Sequence, residues 1–209
     1  PQELAPLNIP YVCCSYDNQY GTLPPDSYAS VSIADEEEAC RAVTELYRCG
    51  HRRIAALVSG TEDRSISQLR YQGYVRALAA HGLPLEQELV IEAGSFDIRQ
   101  SYLAMQRRLL AGAQFTALFA ISDNMAIGAM RALREAGRRI PEDCSVIAID
   151  GLTVSDYINP TLTTLCQPVE HMGRRSVEIL LDMVEHRGGP IRETAHTTLR
   201  TGESVRDIS

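Results

Sequence analysis

The sequence has few aromatic residues and no long hydrophobic run. Of its 209 residues, three are Phe, nine are Tyr and none is Trp, while 44% are hydrophobic. The core is therefore expected to be mainly aliphatic, and the chain is long enough for one large domain or two small lobes. No segment approaches the roughly 20 apolar residues of a membrane span, so no membrane partner is expected. Residues 1–6 lack the basic and apolar regions of a signal peptide.

Clusters of basic residues are also missing. There are 20 Lys and Arg residues against 27 Asp and Glu residues, which gives a formal net charge of −7. The arginines that stand together are isolated pairs, such as Arg52-Arg53 and Arg138-Arg139. A surface that binds duplex DNA needs clustered cations to neutralise the phosphates. This segment is therefore not expected to bind DNA by itself.

The motifs of metal sites, nucleotide sites and hydrolases are absent as well. The six cysteines form no C-x-x-C pair, and no His pair has zinc spacing. No dinucleotide fingerprint, phosphate loop, G-x-S-x-G or H-E-x-x-H motif occurs. The sequence therefore predicts no cofactor, no metal and no enzymatic activity. Cys13, Cys14 and Cys144 lie in or beside apolar runs and are interpreted as small hydrophobes. Reduced thiols suit a cytosolic protein.

The middle of the chain contains a β-α-β pattern. Residues 117–121 and 145–149 predict strands, and between them Asp123 is expected to cap a helix that ends at Gly137. Ser122 and Asp150 lie at the ends of these two strands. Because open parallel sheets bind ligands at the carboxyl ends of their strands, the pattern predicts a small-molecule pocket bordered by these two residues.

Strands and helices alternate along the whole sequence. This alternation predicts an α/β architecture with parallel sheets and right-handed crossovers. The other predicted strands are residues 11–14, 31–34, 54–58, 89–92, 162–166 and 194–199, and the other predicted helices are residues 35–49, 67–81, 98–111 and 168–186.

Six stretches, in order along nearly the whole chain, form a characteristic set. They are residues 35–55 (ending GHRRIA), 70–74 (RYQGY) with 77–78, 122–128 (SDNMAIG), 140–150 (IPEDCSVIAID), 160–168 (PTLTTLCQP) with Gly173, and 199–204 (LRTGES). Together they resemble the effector-binding core of the lactose/galactose repressor (LacI-type) family of bacterial transcription regulators.

The resemblance implies a periplasmic-binding-protein type I fold with two lobes, each a parallel sheet flanked by helices. Residues 1–33 and 168–194 would form an incomplete N-terminal lobe. Residues 34–167 and 195–209 would form the C-terminal lobe. The helix-turn-helix headpiece through which the family binds operator DNA is not expected in this chain. The family also implies a homodimer, because paired headpieces read roughly palindromic operators.

The resemblance further implies an effector site in the cleft between the lobes. Its predicted residues are Arg70, Phe96, Ser122 and Asp150, with Ser15, Tyr16, Gln167 and Arg64 as weaker candidates. An Arg fork and an Asp carboxylate can bind paired hydroxyl groups, and an aromatic ring can stack on the apolar face of a sugar. Ile66 stands where nucleobase-responsive members carry a hydroxyl side chain, which favours a saccharide over a nucleobase.

Three of the predicted site residues also have a structural interpretation. Arg70 could form a surface ion pair, Phe96 could fill the core, and Asp150 could be a buried acid with partners. Asp123 is interpreted as a helix cap rather than as a ligand-binding residue.

Taken together, these observations predict a ligand-responsive transcriptional regulator, most simply a repressor. A periplasmic sugar-binding protein of the same fold is the alternative, and the unpaired cysteines and the repressor-like stretches argue against it.

Overall fold

The computed structural model describes residues 9–15, 28–61 and 66–209. The chain forms two compact units. Unit 1 comprises Pro1–Ala34 and Gln167–Thr197, and unit 2 comprises Asp35–Cys166 and Thr198–Ser209. These bounds differ from those of the predicted lobes by one to three residues. The assignment of the units to an N-terminal and a C-terminal lobe stays a prediction.

The described residues form nine strands and five α-helices. In chain order they are β1 (Val12–Cys14), β2 (Ala29–Ile33), α1 (Asp35–Arg48), β3 (Ile54–Val58), α2 (Ile66–Ala80), β4 (Val90–Glu92), α3 (Ile98–Leu110), β5 (Ala117–Ala120), α4 (Asp123–Glu135), β6 (Ser145–Asp150), β7 (Thr163–Cys166), α5 (Val169–Val184), β8 (Arg192–Ala195) and β9 (Thr198–Arg200). Short 3₁₀ helices cover Gln87–Leu89 and Thr153–Asp156.

Unit 2 is built around a six-stranded sheet in the order β4-β3-β5-β6-β7-β9. All neighbouring strands are parallel except β9, which runs antiparallel to β7. Every residue of β3 and β5 is buried. The sequences of these strands are apolar without interruption because helices cover both faces of a parallel sheet. The predicted α/β fold class is confirmed.

The described part of unit 1 contains a three-stranded parallel sheet in the order β1-β2-β8 and the helix α5. Helix α5 packs against β1 and β2. Its opposite side carries three exposed apolar residues, Val177, Leu181 and Val184.

Two details of the predicted secondary structure are wrong. Residues 194–199 do not form one strand, because β8 pairs with β2 in unit 1 and β9 pairs with β7 in unit 2. Asp123 is not the cap of α4. Ser122 is the N-cap, and its hydroxyl accepts a hydrogen bond from the backbone N–H of Met125 at 3.3 Å. Asp123 is instead the first residue of the helix.

Across the part of the chain that the structure describes, none of the helices combines the length and the apolar character needed to cross a membrane.

Candidate functional site

Arg70 lies at the carboxyl edge of the sheet in unit 2, in the first turns of α2. Its side chain is 3% exposed. The guanidinium Nε donates to Oδ1 of Asp35 at 2.7 Å, and Nη1 donates to Oδ1 of Asp150 at 3.2 Å. Nη1 also donates to the carbonyl oxygen of Ile121, at the end of β5. One buried cation therefore joins α1, α2 and the ends of two strands.

Close packing of α1 against α2 makes the contact between Asp35 and Arg70 possible. Gly73, one turn after Arg70, lies against the backbone of α1. A Cβ atom at this position would stand 2.2 Å from the carbonyl oxygen of Glu36 and 2.7 Å from Cβ of Ala39. Only a residue without a side chain allows the two helices to come this close.

The ionisation of this cluster is set by burial and by mutual attraction. Burial disfavours the charged guanidinium, but the carboxylates of Asp35 and Asp150 outweigh this effect and raise the pKa of Arg70. Burial also raises the pKa of Asp35, an effect that the charge of Arg70 opposes. The guanidinium remains protonated at neutral pH, and its hydrogen bond to Asp35 favours the ionised form of this carboxyl against the effect of burial.

Asp150 differs from Asp35 in exposure and in backbone geometry. It ends β6, its side chain is 22% exposed, and its φ angle is +144°. A positive φ is rare for a residue with a side chain and costs about 1–3 kcal/mol where the surrounding structure imposes it. Strained residues of this kind concentrate at functional sites. Asp150 is thus the partly solvent-accessible acid of the cluster.

Asp123 supports the loop that follows Asp150. Its carboxylate is fully buried. It accepts hydrogen bonds from the backbone N–H of Leu152 at 2.7 Å, from Oγ of Ser155 at 2.7 Å and from Oγ1 of Thr164 at 2.6 Å. These bonds account for its burial and fix the start of the loop. The sequence interpretation of Asp123 as a helix cap was wrong, because its carboxylate bonds to the loop after β6 and to Thr164 of β7.

Ser122 and Phe96 also lie in unit 2. Ser122 is almost fully buried, and its oxygen accepts the capping bond described above. Phe96 stands in the loop between β4 and α3 and is 39% exposed, so it does not fill the core. Their participation in effector binding stays a prediction.

Ser15 and Gln167 lie in unit 1 and contact each other. Oγ of Ser15 donates to Oε1 of Gln167 at 3.1 Å. Ser15 has a φ angle of +60°, the left-handed region that a non-glycine residue seldom adopts. Tyr16 and Arg64, the remaining predicted site residues, are outside the described residues.

The sequence interpretation missed Asp35 as a site residue. It interpreted Asp35 only as the cap of the helix predicted over residues 35–49, whereas Asp35 is the first residue of α1. An available signal was the placement of this acid directly before an apolar helix face. That signal cannot reveal the partner, because Arg70 lies 35 positions later on a different helix.

Metal-ligating groups are not gathered at this site. Over residues 9–15, 28–61 and 66–209, no group of three or more His, Cys, Asp or Glu side chains could hold a metal ion. None of the six cysteines, all of which lie in the described residues, forms a disulfide bond. Cys144 is buried, and burial raises the pKa of its thiol to about 12, so it is protonated at neutral pH.

Comparison with known proteins agrees with this architecture. The periplasmic binding protein-like domain family matches residues 43–205. The HTH-type transcriptional regulator CelR of Thermobifida fusca is 35% identical over 205 residues, which are 98% of this chain and 59% of CelR. The HTH-type transcriptional repressor PurR of Vibrio cholerae is 36% identical over 188 residues, 89% of this chain and 55% of PurR.

Solved structures give the same result. The complex of the transcriptional regulator CelR with cellobiose has a TM-score of 0.88 at 33% identity, covering 98% of this chain and 61% of that one. A structure from Sanguibacter keddieii assigned to the LacI family has a TM-score of 0.85 at 30% identity, covering 93% and 73%.

The chain belongs to the periplasmic binding protein-like domain family and, within it, to the effector-binding cores of LacI-type transcriptional regulators. The resemblance stated from the sequence is thereby confirmed. The chain spans 59% of the length of CelR and 55% of that of PurR.

Proposed function

We propose that this chain is the ligand-sensing part of a cytoplasmic transcriptional repressor and has no enzymatic role. An effector, most simply a saccharide, binds at the carboxyl edge of the unit 2 sheet. Operator DNA is bound through a helix-turn-helix headpiece outside this chain. The observation that carries this proposal is the buried guanidinium of Arg70, held by Asp35 and facing the partly exposed Asp150.

The chemistry of these residues supports a hydroxyl-bearing ligand. Arg70 supplies N–H donors, and the carboxylate of Asp150 accepts from hydroxyl groups. Phe96, exposed in a neighbouring loop, offers a flat apolar face. Ser122, Ser15, Tyr16, Gln167 and Arg64 remain proposed contributors. The cellobiose complex of CelR supports a saccharide as the class of ligand, and a nucleobase is the second candidate.

A thermal-shift screen tests the effector. The protein is scanned with cellobiose, other mono- and disaccharides, sugar phosphates and nucleobases. A ligand at 100 times its Kd adds about 2.7 kcal/mol to the free energy of unfolding, which raises Tm measurably. A raised Tm with a sugar, lost in Asp150→Ala, supports the proposal. If only nucleobases raise Tm, the proposed effector is a nucleobase and not a saccharide.

We further propose that the protein is a homodimer that uses an apolar surface of unit 2. Ile98, Val154 and Tyr157 are exposed there. The backbone of Ile98 lies against Gly128 of α4, and Val154 and Tyr157 belong to the loop whose Leu152 and Ser155 bind Asp123 at the start of α4. Exposed apolar patches mark association surfaces. Analytical ultracentrifugation tests this surface. The wild type is expected to sediment as a dimer and Val154→Glu as a monomer.

A further inference from the structure

The chain changes direction sharply at the end of β6. Asp150, the last residue of this strand, has a φ angle of +144°, and Gly151 follows with a φ angle of +78°. Glycine adopts a positive φ freely, whereas an aspartate at +144° is strained and keeps this angle only where the surrounding structure imposes it. The contacts of the residues just after Asp150 therefore decide its conformation.

The hydroxyl of Thr164, a fully buried residue of β7, connects these residues to α4. It accepts a hydrogen bond from the backbone N–H of Gly151 at 3.3 Å and donates to Oδ1 of Asp123 at 2.6 Å. Oδ2 of Asp123 accepts from the backbone N–H of Leu152 at 2.7 Å. The two backbone N–H groups that follow Asp150 are thus bound by two side chains that are hydrogen-bonded to each other.

Gly151 is also in direct contact with the end of β7. A Cβ atom at this position would stand 2.6 Å from the Cα, Cβ and Sγ atoms of Cys166. Cys166 is the residue that pairs with Asp150 in the register of β6 and β7. This contact and the hydrogen bonds of Thr164 and Asp123 together fix the path of the chain after Asp150.

We propose that Thr164 and Asp123 are positioning residues of the effector site and that their hydrogen bonds hold Asp150 in its binding conformation. The φ angle sets the direction in which a side chain leaves its strand, so the imposed angle keeps the carboxylate of Asp150 next to Nη1 of Arg70. The energetic cost of the angle arises when the protein folds and not when the effector binds, which favours tight binding. This proposal rests on the proposed function and names the groups that organise its site.

The first experiment compares effector binding by calorimetry in the wild type, Thr164→Val and Thr164→Ser. The probes are cellobiose and the sugar that gives the largest rise of Tm in the thermal-shift screen. Valine has the shape of threonine without the hydroxyl, so Thr164→Val releases Gly151 and Asp123. Kd is expected to rise about tenfold, because Asp150 must regain its strained conformation on binding. Thr164→Ser keeps the hydroxyl and is expected to retain the wild-type Kd.

Thr163→Val is the matched control for this measurement. Thr163 precedes Thr164 in the same strand, is also buried, and its Oγ1 accepts from the backbone N–H of Gly202 at 3.0 Å. The control therefore loses a buried hydrogen bond that does not involve the residues after Asp150. It is expected to lower the midpoint of urea unfolding and to leave Kd unchanged. If Thr164→Val behaves in the same way, its role is only structural and the proposal is wrong.

A second experiment needs no ligand. It compares the urea unfolding of Asp150→Ala and Asp150→Gly, which both lack the carboxylate. Glycine in a strand is ordinarily less stable than alanine. Because alanine is strained at a φ of +144°, Asp150→Gly is instead expected to have the higher midpoint. When Thr164→Val is added to both variants, the order is expected to reverse, since the backbone is no longer held.

A higher midpoint for Asp150→Ala than for Asp150→Gly in the otherwise wild-type chain would overturn the proposal, and this comparison remains decisive if Thr164→Val does not fold. An order that Thr164→Val leaves unchanged would also overturn it, while the proposed sensing of saccharides would stand. If the wild type binds none of the sugars, the proposed function fails together with the role of Thr164 in binding, and the order of the midpoints still tests whether Thr164 holds the backbone.

Discussion

The two edges of the unit 2 sheet contain buried polar groups of different kinds. At the carboxyl edge, the buried groups are charged: Arg70 joins Asp35 and Asp150. At the amino edge they are neutral. Oγ of Ser204 donates to the carbonyl of Val146 at 2.6 Å and accepts from the N–H of Thr163 at 2.8 Å.

The amino edge is closed by the last residues of the chain. The N–H of Arg206 donates to Oγ of Ser145 at 3.0 Å, and the N–H of Ile208 donates to the carbonyl of Cys49 at 2.9 Å. Neutral hydrogen bonds of this type satisfy buried groups without the desolvation cost of an ion. One edge is therefore held by neutral hydrogen bonds, and the other, where we propose that the effector binds, contains desolvated ions.

The largest expected effect is that of Arg70→Ala at the carboxyl edge. Removal of the guanidinium leaves the carboxylate of Asp35 buried without its cation, which costs about 3–5 kcal/mol. Urea unfolding of the wild type and the variant measures this loss. Sugar binding is expected to disappear as well. Arg76→Ala, which breaks the solvent-accessible pair with Glu36 and a hydrogen bond with Cys40, is the control and is expected to cost at most about 1 kcal/mol.

Ser204→Ala acts on the amino edge and separates stability from binding. It leaves the N–H of Thr163 and the carbonyl of Val146 without this partner in a buried position, at a cost of about 1–3 kcal/mol. The midpoint of urea unfolding is expected to fall, while Kd for the effector stays at the wild-type value. A weaker Kd would contradict the division of roles between the two edges.

The smallest expected effect is a pH dependence at the amino edge. His51 is buried, with Nδ1 3.0 Å from Oγ1 of Thr116. Burial lowers the pKa of His51 below its ordinary value of 6.5. As the pH falls through 6.5, the unfolded chain therefore takes up a proton that the folded chain does not. The free energy of unfolding contributed by His51 is present above this pH and is lost toward the lower pKa of the folded state.

Denaturation of His51→Gln measured between pH 7.5 and about 5 tests this sign. The variant is expected to lose less stability on acidification than the wild type. His196 is exposed, so His196→Gln is the matched control and is expected to follow the wild-type curve. If the free energy of unfolding depends on pH with the same slope in all three proteins, the pKa of His51 does not differ between the folded and unfolded states.

Much of the architecture could be predicted because it depends on local patterns. The bounds of β3 agree with the prediction, because a five-residue apolar run between polar residues is typical of a buried strand in a parallel sheet. The resemblance to the LacI-type family also placed Arg70 and Asp150 at one site, and the structure joins them by a hydrogen bond.

The remaining details depend on packing between distant segments. The pairing of Asp35 with Arg70 requires the close approach of α1 and α2, which no local pattern reveals. Ser122 rather than Asp123 caps α4, and the sequence does not distinguish them because both have short polar side chains that can cap a helix. Residues 194–199 have one continuous strand-like pattern. Their division into β8 and β9 depends on pairing with strands of two different sheets, which the local sequence does not reveal.

Gly73 has a consequence for redesign of the protein. The distance between α1 and α2 is set by contact of their backbones at this glycine, and the side chains at positions 35 and 70 fit into the space that results. Substitution of Asp35 or Asp150, aimed at the proposed effector site, therefore leaves the spacing between α1 and α2 in place. Substitution of Gly73 would push the two helices apart. A library of variants with altered ligand specificity should therefore vary the two aspartates and keep Gly73.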